Sequence, residues 1–288
     1  MSVLLEPLSY DYMVKAIWVS GLVGATCAFL SAFLMLKGWS LMGDALAHAI
    51  VPGVAGAYLL GLPYSAGAFL AGLLASLGMA FVRMQTKLRQ DVVIGIVFTT
   101  FFAGGLALVS INPTAVNVQT IVLGNILAIS DWDATQAAII SVVTLAVLLV
   151  IWKDLVVLFF DETHARTVGI RPDVLKIVFF TLLAAATVAA LQTVGACLVI
   201  AMVITPGATA YLLTDRFPVL VRIAVAMGTL SSMIGAYISY FVDGATGGVI
   251  VTLQTVIFLA AFVLAPRHGL LAQRRRRAAG TLAGEAGV

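Results

Sequence analysis

The chain has 288 residues, 62% of them hydrophobic and only 10% charged, with a formal net charge of +3. Soluble domains carry roughly 25% charged residues, so this composition leaves too little polar surface to clothe a soluble body, and the lipid bilayer is its natural solvent. Outer-membrane strands alternate apolar and polar positions, a pattern excluded by runs that are apolar all round, such as "ATQAAIISVVTLAVLLVIW".

In chain order, residues 1–12 form an N-terminal segment in which Glu6 and Asp11 precede the first apolar run. No basic region precedes that run, so the first helix is expected to serve as its own insertion signal. Apolar segments then follow at 13–36, 41–61, 63–83, 91–111, 134–152, 174–191, 193–213, 219–242 and 246–265. Each is long enough to span a bilayer, and in lipid the backbone must satisfy its own hydrogen bonds within the segment, so these are helices. The expected fold is all-α: a polytopic membrane bundle of eight to nine spans forming one domain over 13–268. Cys27 and Cys197 fall inside predicted spans and read as small packing residues.

The connections carry an uneven charge. Arg83, Lys87 and Arg89 lie together, Arg166 and Arg171 occupy the 153–176 connection, and five arginines follow the last span. The opposite connections are acidic or neutral. The positive-inside rule makes the basic connections and the C-terminus cytoplasmic. The 112–133 connection is half apolar and reads as a short helix at the outer face. The 269–288 tail is expected to be disordered, and its "RRRR" reads as a membrane-flanking anchor, not a nucleic-acid site.

Ionisable residues inside a span need a reason, because Asp at a helix centre costs about 2.5–3.5 kcal/mol to insert. Most charges here lie at span ends, where snorkelling makes them ordinary. Asp44 and His48, in "GDALAHAIVPG", stand well inside one. Their i, i+4 spacing puts both on one helix face, so a carboxylate oxygen and an imidazole nitrogen converge as ligands for a divalent transition metal. Two other readings fit the same residues: a helix ion pair that satisfies itself, or an aspartate serving as an N-cap. Pro52-Gly53 follows directly, and Thr205-Pro206-Gly207 interrupts a later span. Proline frees backbone groups, and such breaks are tolerated where they line a cavity. The two segments therefore suggest a pathway; ordinary helix kinks are the alternative. Met42 and Met202 read as packing residues.

The segment "FFDETHARTVGIRP" (159–172) breaks the apolar pattern. Asp161 and Glu162 suit the start of a short helix and Arg166 its end, with Gly169 and Pro172 as its stop. It reads as a cytoplasmic docking helix or as a solvated linker, with His164 as a surface residue. The chain contains no phosphate-binding G-x-x-x-x-G-K-[ST], no H-E-x-x-H and no G-x-S-x-G. Enzymes of those types are excluded, leaving transport or scaffolding.

The stretches "LKGWSLMGDALAHAIVPGVAGAYLLGLPYSAGAFLAG", "FDETHARTVGI" and "VGACLVIAMVITPGATAYLLT" resemble the permease subunits of bacterial ATP-binding-cassette importers for manganese, iron and zinc, the ABC-3 family. The likeness runs from about residue 10 to 268, and the first stretch looks more like the manganese/iron branch. This resemblance implies that Asp44 and His48 are metal ligands in a path gated at Pro52, Gly53, Thr205, Pro206 and Gly207. It also implies that 159–170 is the helix docking an ATPase, through Asp161, Glu162, His164, Ala165, Arg166 and Gly169. The implied partners are a separate ATPase that hydrolyses ATP, a metal-binding solute-binding protein, a second permease subunit and the inner-membrane bilayer. The implied substrate is Mn²⁺ or Fe²⁺, with Zn²⁺ the alternative, and no permanent cofactor is expected. A stand-alone ion- or proton-coupled carrier and a membrane scaffold are the competing functions.

Overall fold

The computed structural model describes residues 3–39, 41–111, 130–265 and 269–270. Among them, a 3₁₀ turn at Val3–Ser9 leads into eleven α-helices: α1 (Asp11–Lys37), α2 (Leu41–Ala49), α3 (Val51–Leu60), α4 (Tyr64–Gln85), α5 (Gln90–Ile111), α6 (Asp131–Phe160), α7 (Glu162–Thr167), α8 (Pro172–Val194), α9 (Ala196–Leu213), α10 (Phe217–Val242) and α11 (Thr246–Leu264). Eight helical stretches are long and apolar enough to cross a membrane, counting 41–60 as one. The shorter apolar helix Leu198–Leu213 joins them. All nine apolar segments of the sequence are thus helical. The expected outer-face helix at 112–133 lies outside the described residues up to 129, as does nearly all of the 269–288 tail.

Local chemistry sets the helix ends. Gly38 caps α1 at φ 69°, a left-handed conformation that costs glycine nothing, and its N–H reaches the Leu34 and Met35 carbonyls. Ser130 caps α6 by accepting from the Asp133 N–H. Pro172 opens α8, where its missing N–H has no helical partner to lose.

The centre of the bundle is α1, buried on all sides by α10, α9, α6 and α8. Small residues allow the closest approaches. A Cβ on Gly24 would meet the Gly228 carbonyl at 2.5 Å, and one on Gly53 would strike the Gly67 carbonyl between α3 and α4. Close backbone approach is how helices associate where the hydrophobic effect gives no drive.

Cross-links mark the two ends of the bundle. At one end Lys37 donates to the Phe159 carbonyl at 2.9 Å and Lys176 donates to Glu162 at 2.7 Å. At the other, Lys15 pairs with Asp131, and Gln136 donates to Ser65 at 2.8 Å.

Two boundaries differ from expectation. The 153–160 segment, expected in a connection, continues α6: Leu155, Leu158 and Phe159 turn into the core while Lys153 and Asp154 stay exposed. The Lys-Asp pair hides an amphipathic last stretch. The single helix expected at 41–61 is two, with a turn at Ile50. Pro52 has no N–H to offer the His48 carbonyl, so the helix ends there and restarts.

Candidate metal site and docking helix

Asp44 lies inside the first turn of α2, past the cap position. His48 follows one turn later, its Nδ1 3.1 Å from Asp44 Oδ1 and 3.1 Å from the Asp44 carbonyl oxygen. Both oxygens are acceptors only, so Nδ1 carries the proton, and a neutral ring then presents its Nε2 lone pair outward. Ligating histidines are generally held this way, with one nitrogen bonded to a carboxylate or carbonyl and the other free for metal. The self-satisfying pair anticipated as an alternative to a metal site is therefore present as a hydrogen bond, with the Asp44 carboxylate orienting the ring.

The pair retains access. The His48 side chain is 25% exposed and that of Asp44 39%, which sets them apart from the fully buried residues around them, such as Leu46 and Ala47. Two rings of α5 fix the imidazole: Phe98 and Phe102 meet it edge-on, with centroids 5.5 and 5.6 Å away. These phenylalanines lie near the middle of α5, so His48 sits near mid-depth of the bundle. Sequence reasoning missed them because phenylalanine in an apolar helix carries no signal of its own. Among the described residues, no group of three or more His, Cys, Asp or Glu side chains could hold a metal ion. Met42 and Met202 are both buried in the main core.

Pro52 and Gly53 are half-buried at the α2–α3 turn, where Pro52 has no N–H to offer the His48 carbonyl. Thr205, Pro206 and Gly207 behave differently. The helix α9 runs unbroken through them. The buried Ser31 of α1 accepts from the Gly207 N–H at 2.9 Å and donates to the Ile204 carbonyl at 3.1 Å. One hydroxyl thus repairs the backbone beside the proline. Here α9 touches α2 through Val203, whose side chain faces Gly43. The expected interruption of the helix is corrected to a packed, repaired one.

The helix α7 is short and tightly held. Asp161 caps it by accepting from the N–H groups of Thr163 and His164, at 2.8 and 3.1 Å. Glu162 binds Arg166 at 3.2 Å and Lys176 of α8 at 2.7 Å, while Arg166 also approaches Asp173 at 3.9 Å. The Lys176 hydrogen bond, with help from Arg166, holds the Glu162 carboxyl below its ordinary range. Gly169 turns the chain at φ 88°, where the Ile170 N–H returns to the Ala165 carbonyl at 3.0 Å. Ala165 is fully buried and anchors the helix from below. The surface it leaves includes Asp161, Thr163, His164, Arg166 and Thr167, flanked by the exposed apolar Phe160 and Val168. Those two hydrophobes were not singled out from the sequence, though their place beside a charged helix was visible there.

A multi-pass helical bundle with a paired carboxylate and imidazole at mid-depth and a braced helix at its basic end defines a membrane transport subunit. The ABC 3 transport family model matches residues 9–265, and the chain belongs to that family. It is 66% identical to the chelated iron transport system membrane protein YfeC of Yersinia pestis, over 96% of this chain and 94% of that one. It is 47% identical to the manganese transport system membrane protein MntB of Synechocystis sp., over 96% and 90% of the two chains. Among solved structures it matches PsaBC from Streptococcus pneumoniae in complex with Fab, with a TM-score of 0.83 and 31% identity, covering 94% of this chain and 98% of that one.

Proposed function

We propose that this chain is the permease subunit of an ATP-driven importer that carries Mn²⁺ or Fe²⁺ across the bacterial inner membrane, with its basic end and C-terminus in the cytoplasm. The observation that carries this reading is the Asp44–His48 pair, half-exposed at mid-depth in an otherwise apolar bundle. Its donors, one hard oxygen and one borderline nitrogen, suit first-row divalent ions. Two ligands are too few to replace a hydration shell, so a second permease subunit supplies a second pair across the path. Iron and manganese are the metals in the names of similar proteins.

A separate ATPase subunit docks on α7 through the exposed residues Thr163, His164 and Thr167, with Phe160 and Val168 as apolar contacts. A metal-binding protein delivers the ion at the opposite end. The path runs past the His48 carbonyl at the Pro52-Gly53 turn and along the α2–α9 contact near Thr205–Gly207.

The test is uptake of Mn²⁺, Fe²⁺ and Zn²⁺, each offered alone, by cells carrying the complete importer with wild-type, Asp44→Asn or His48→Ala permease. Collapse of manganese or iron uptake with normal membrane levels of protein supports the reading. Zinc as the only transported ion would overturn the assignment of metal, and persistent uptake in both variants would overturn the site.

A further inference from the structure

Trp39 lies in the short link between α1 and α2, five positions before Asp44, and is only 3% exposed. Its backbone splices the two helices: the Trp39 N–H donates to the Leu34 carbonyl at 2.8 Å, and its carbonyl accepts from the Met42 N–H at 3.0 Å. Its ring is gripped from elsewhere. It stacks on Phe180 of α8 at 5.5 Å with 20° between planes, and it leans on Phe159, at the end of α6, at 5.4 Å. The Arg83 guanidinium covers it at 5.4 Å.

These holders belong to the mount of α7. Phe159 stands two residues before the Asp161 cap, and Phe180 lies one turn after Lys176, the residue that ties α8 to Glu162. The ring is therefore fixed to the docking helix, while the backbone it belongs to starts the metal-site helix. Beside it lies a cavity of ≈ 230 Å³, lined by Trp39, Met42, Met79, Ile94, Lys176 and Phe180 among others. Packed interiors transmit displacement because they have little free volume to absorb it. The cavity lies between Trp39 and Met42 on one hand and α4, α5 and α8 on the other, with Glu162 of α7 also in its lining, so the start of α2 and the α7 mount face a common space into which either can shift.

We propose that Trp39 is a positioning residue that sets where α2 holds Asp44 and His48 according to the position of the α7 mount. This rests on the reading of the pair as a metal site and of α7 as the ATPase dock. Trp39 touches no metal; it acts through the helix it begins.

The experiment uses the whole importer in proteoliposomes, measuring manganese import and ATP hydrolysis together for wild type, Trp39→Ala and Trp39→Phe. Trp39→Ala is expected to keep ATP hydrolysis and lower the ions imported per ATP about tenfold. Trp39→Phe, which retains a stacking ring, restores most of that ratio. A parallel fall of import and hydrolysis in Trp39→Ala would mean that the ring merely packs the dock, and an unchanged ratio would overturn the proposal equally. Asp44→Asn and Val168→Asp serve as controls for the underlying reading. Import persisting in the first, or ATPase association in the second, overturns that reading and not the Trp39 proposal alone. Should Trp39→Ala fail to insert, a permease with Trp18, Trp132 and Trp152 replaced by Phe leaves Trp39 as its single tryptophan. Its emission is expected to shift when the assembled importer is trapped with ATP and vanadate, and no shift would overturn the proposal.

Discussion

The same dipeptide, Pro-Gly, occurs at 52–53 and at 206–207, and the structure treats the two differently. At the first the helix stops and restarts at Ile50, leaving the His48 carbonyl without its usual donor. At the second α9 continues, and Ser31 reaches across from α1 to bond both the Gly207 N–H and the Ile204 carbonyl. Proline is thus not itself the break. The second segment differs in having a hydroxyl from a neighbouring helix bonded to the backbone on either side of the proline. The second segment is part of the packed centre around α1, whereas the first lies half-buried one turn beyond the partly exposed His48.

If this division holds, changes near 52 affect transport and changes near 206 affect stability. The largest effect is expected at the ligands. Asp44→Asn and His48→Ala each lower metal uptake by two orders of magnitude or so, as loss of an essential ligand commonly does (on the order of 10–100-fold even for supporting residues). Neither moves the unfolding temperature of the purified permease appreciably, since both side chains are partly exposed. A matching loss of stability would mean that the pair is a structural staple after all.

Ser31→Ala comes next and shows the reverse pattern. It removes the acceptor of the buried Gly207 N–H, and an unsatisfied buried group costs about 1–3 kcal/mol. Thermal unfolding in detergent should show a loss within that range, with uptake per inserted molecule near wild type. Pro52→Ala is smaller again. It restores a donor to the His48 carbonyl and favours one continuous helix, so stability rises by about 1 kcal/mol or less, a modest part of the ~3 kcal/mol that proline costs inside an ordinary helix. Uptake falls severalfold because the turn that presents the pair is straightened. If stability drops instead, the turn is packed for its own sake.

Much of this was legible in the sequence, for a physical reason. Segments surrounded by lipid or by apolar neighbours are apolar all round, so all nine could be marked without knowing which face was buried. Asp44 and His48 stood out because charge in such a segment needs a cause. Long-range partners were invisible. Nothing near "ITPGATA" announces that Ser31, far away in α1, will repair it. Phe98 and Phe102 look like any lipid-facing phenylalanines until α5 is laid against α2. The 153–160 extension was hidden because Lys153 and Asp154 suggest a membrane boundary, whereas α6 continues beyond them with one buried face.

The smallest expected effect concerns the mount of α7, which is tied to neither Pro-Gly segment. Glu162 is held below the ordinary carboxylate range, chiefly by its hydrogen bond from Lys176. A carboxyl whose folded pKa is depressed adds stability that is fully present above its unfolded value, about 4.3, and lost as pH falls through the lower folded value. Glu162 is partly exposed, so solvent screening keeps the contribution of its pairs within about 1 kcal/mol. Glu162→Gln should therefore lower the unfolding temperature slightly near neutral pH, and the gap from wild type should close as the medium is taken below about pH 4. The loss should add to that of Ser31→Ala in the double variant, because the two sites share no partner. A gap that persists in acid would assign the effect to packing instead of charge, and a double variant far from additive would show that the α7 mount and the repaired proline of α9 form one unit.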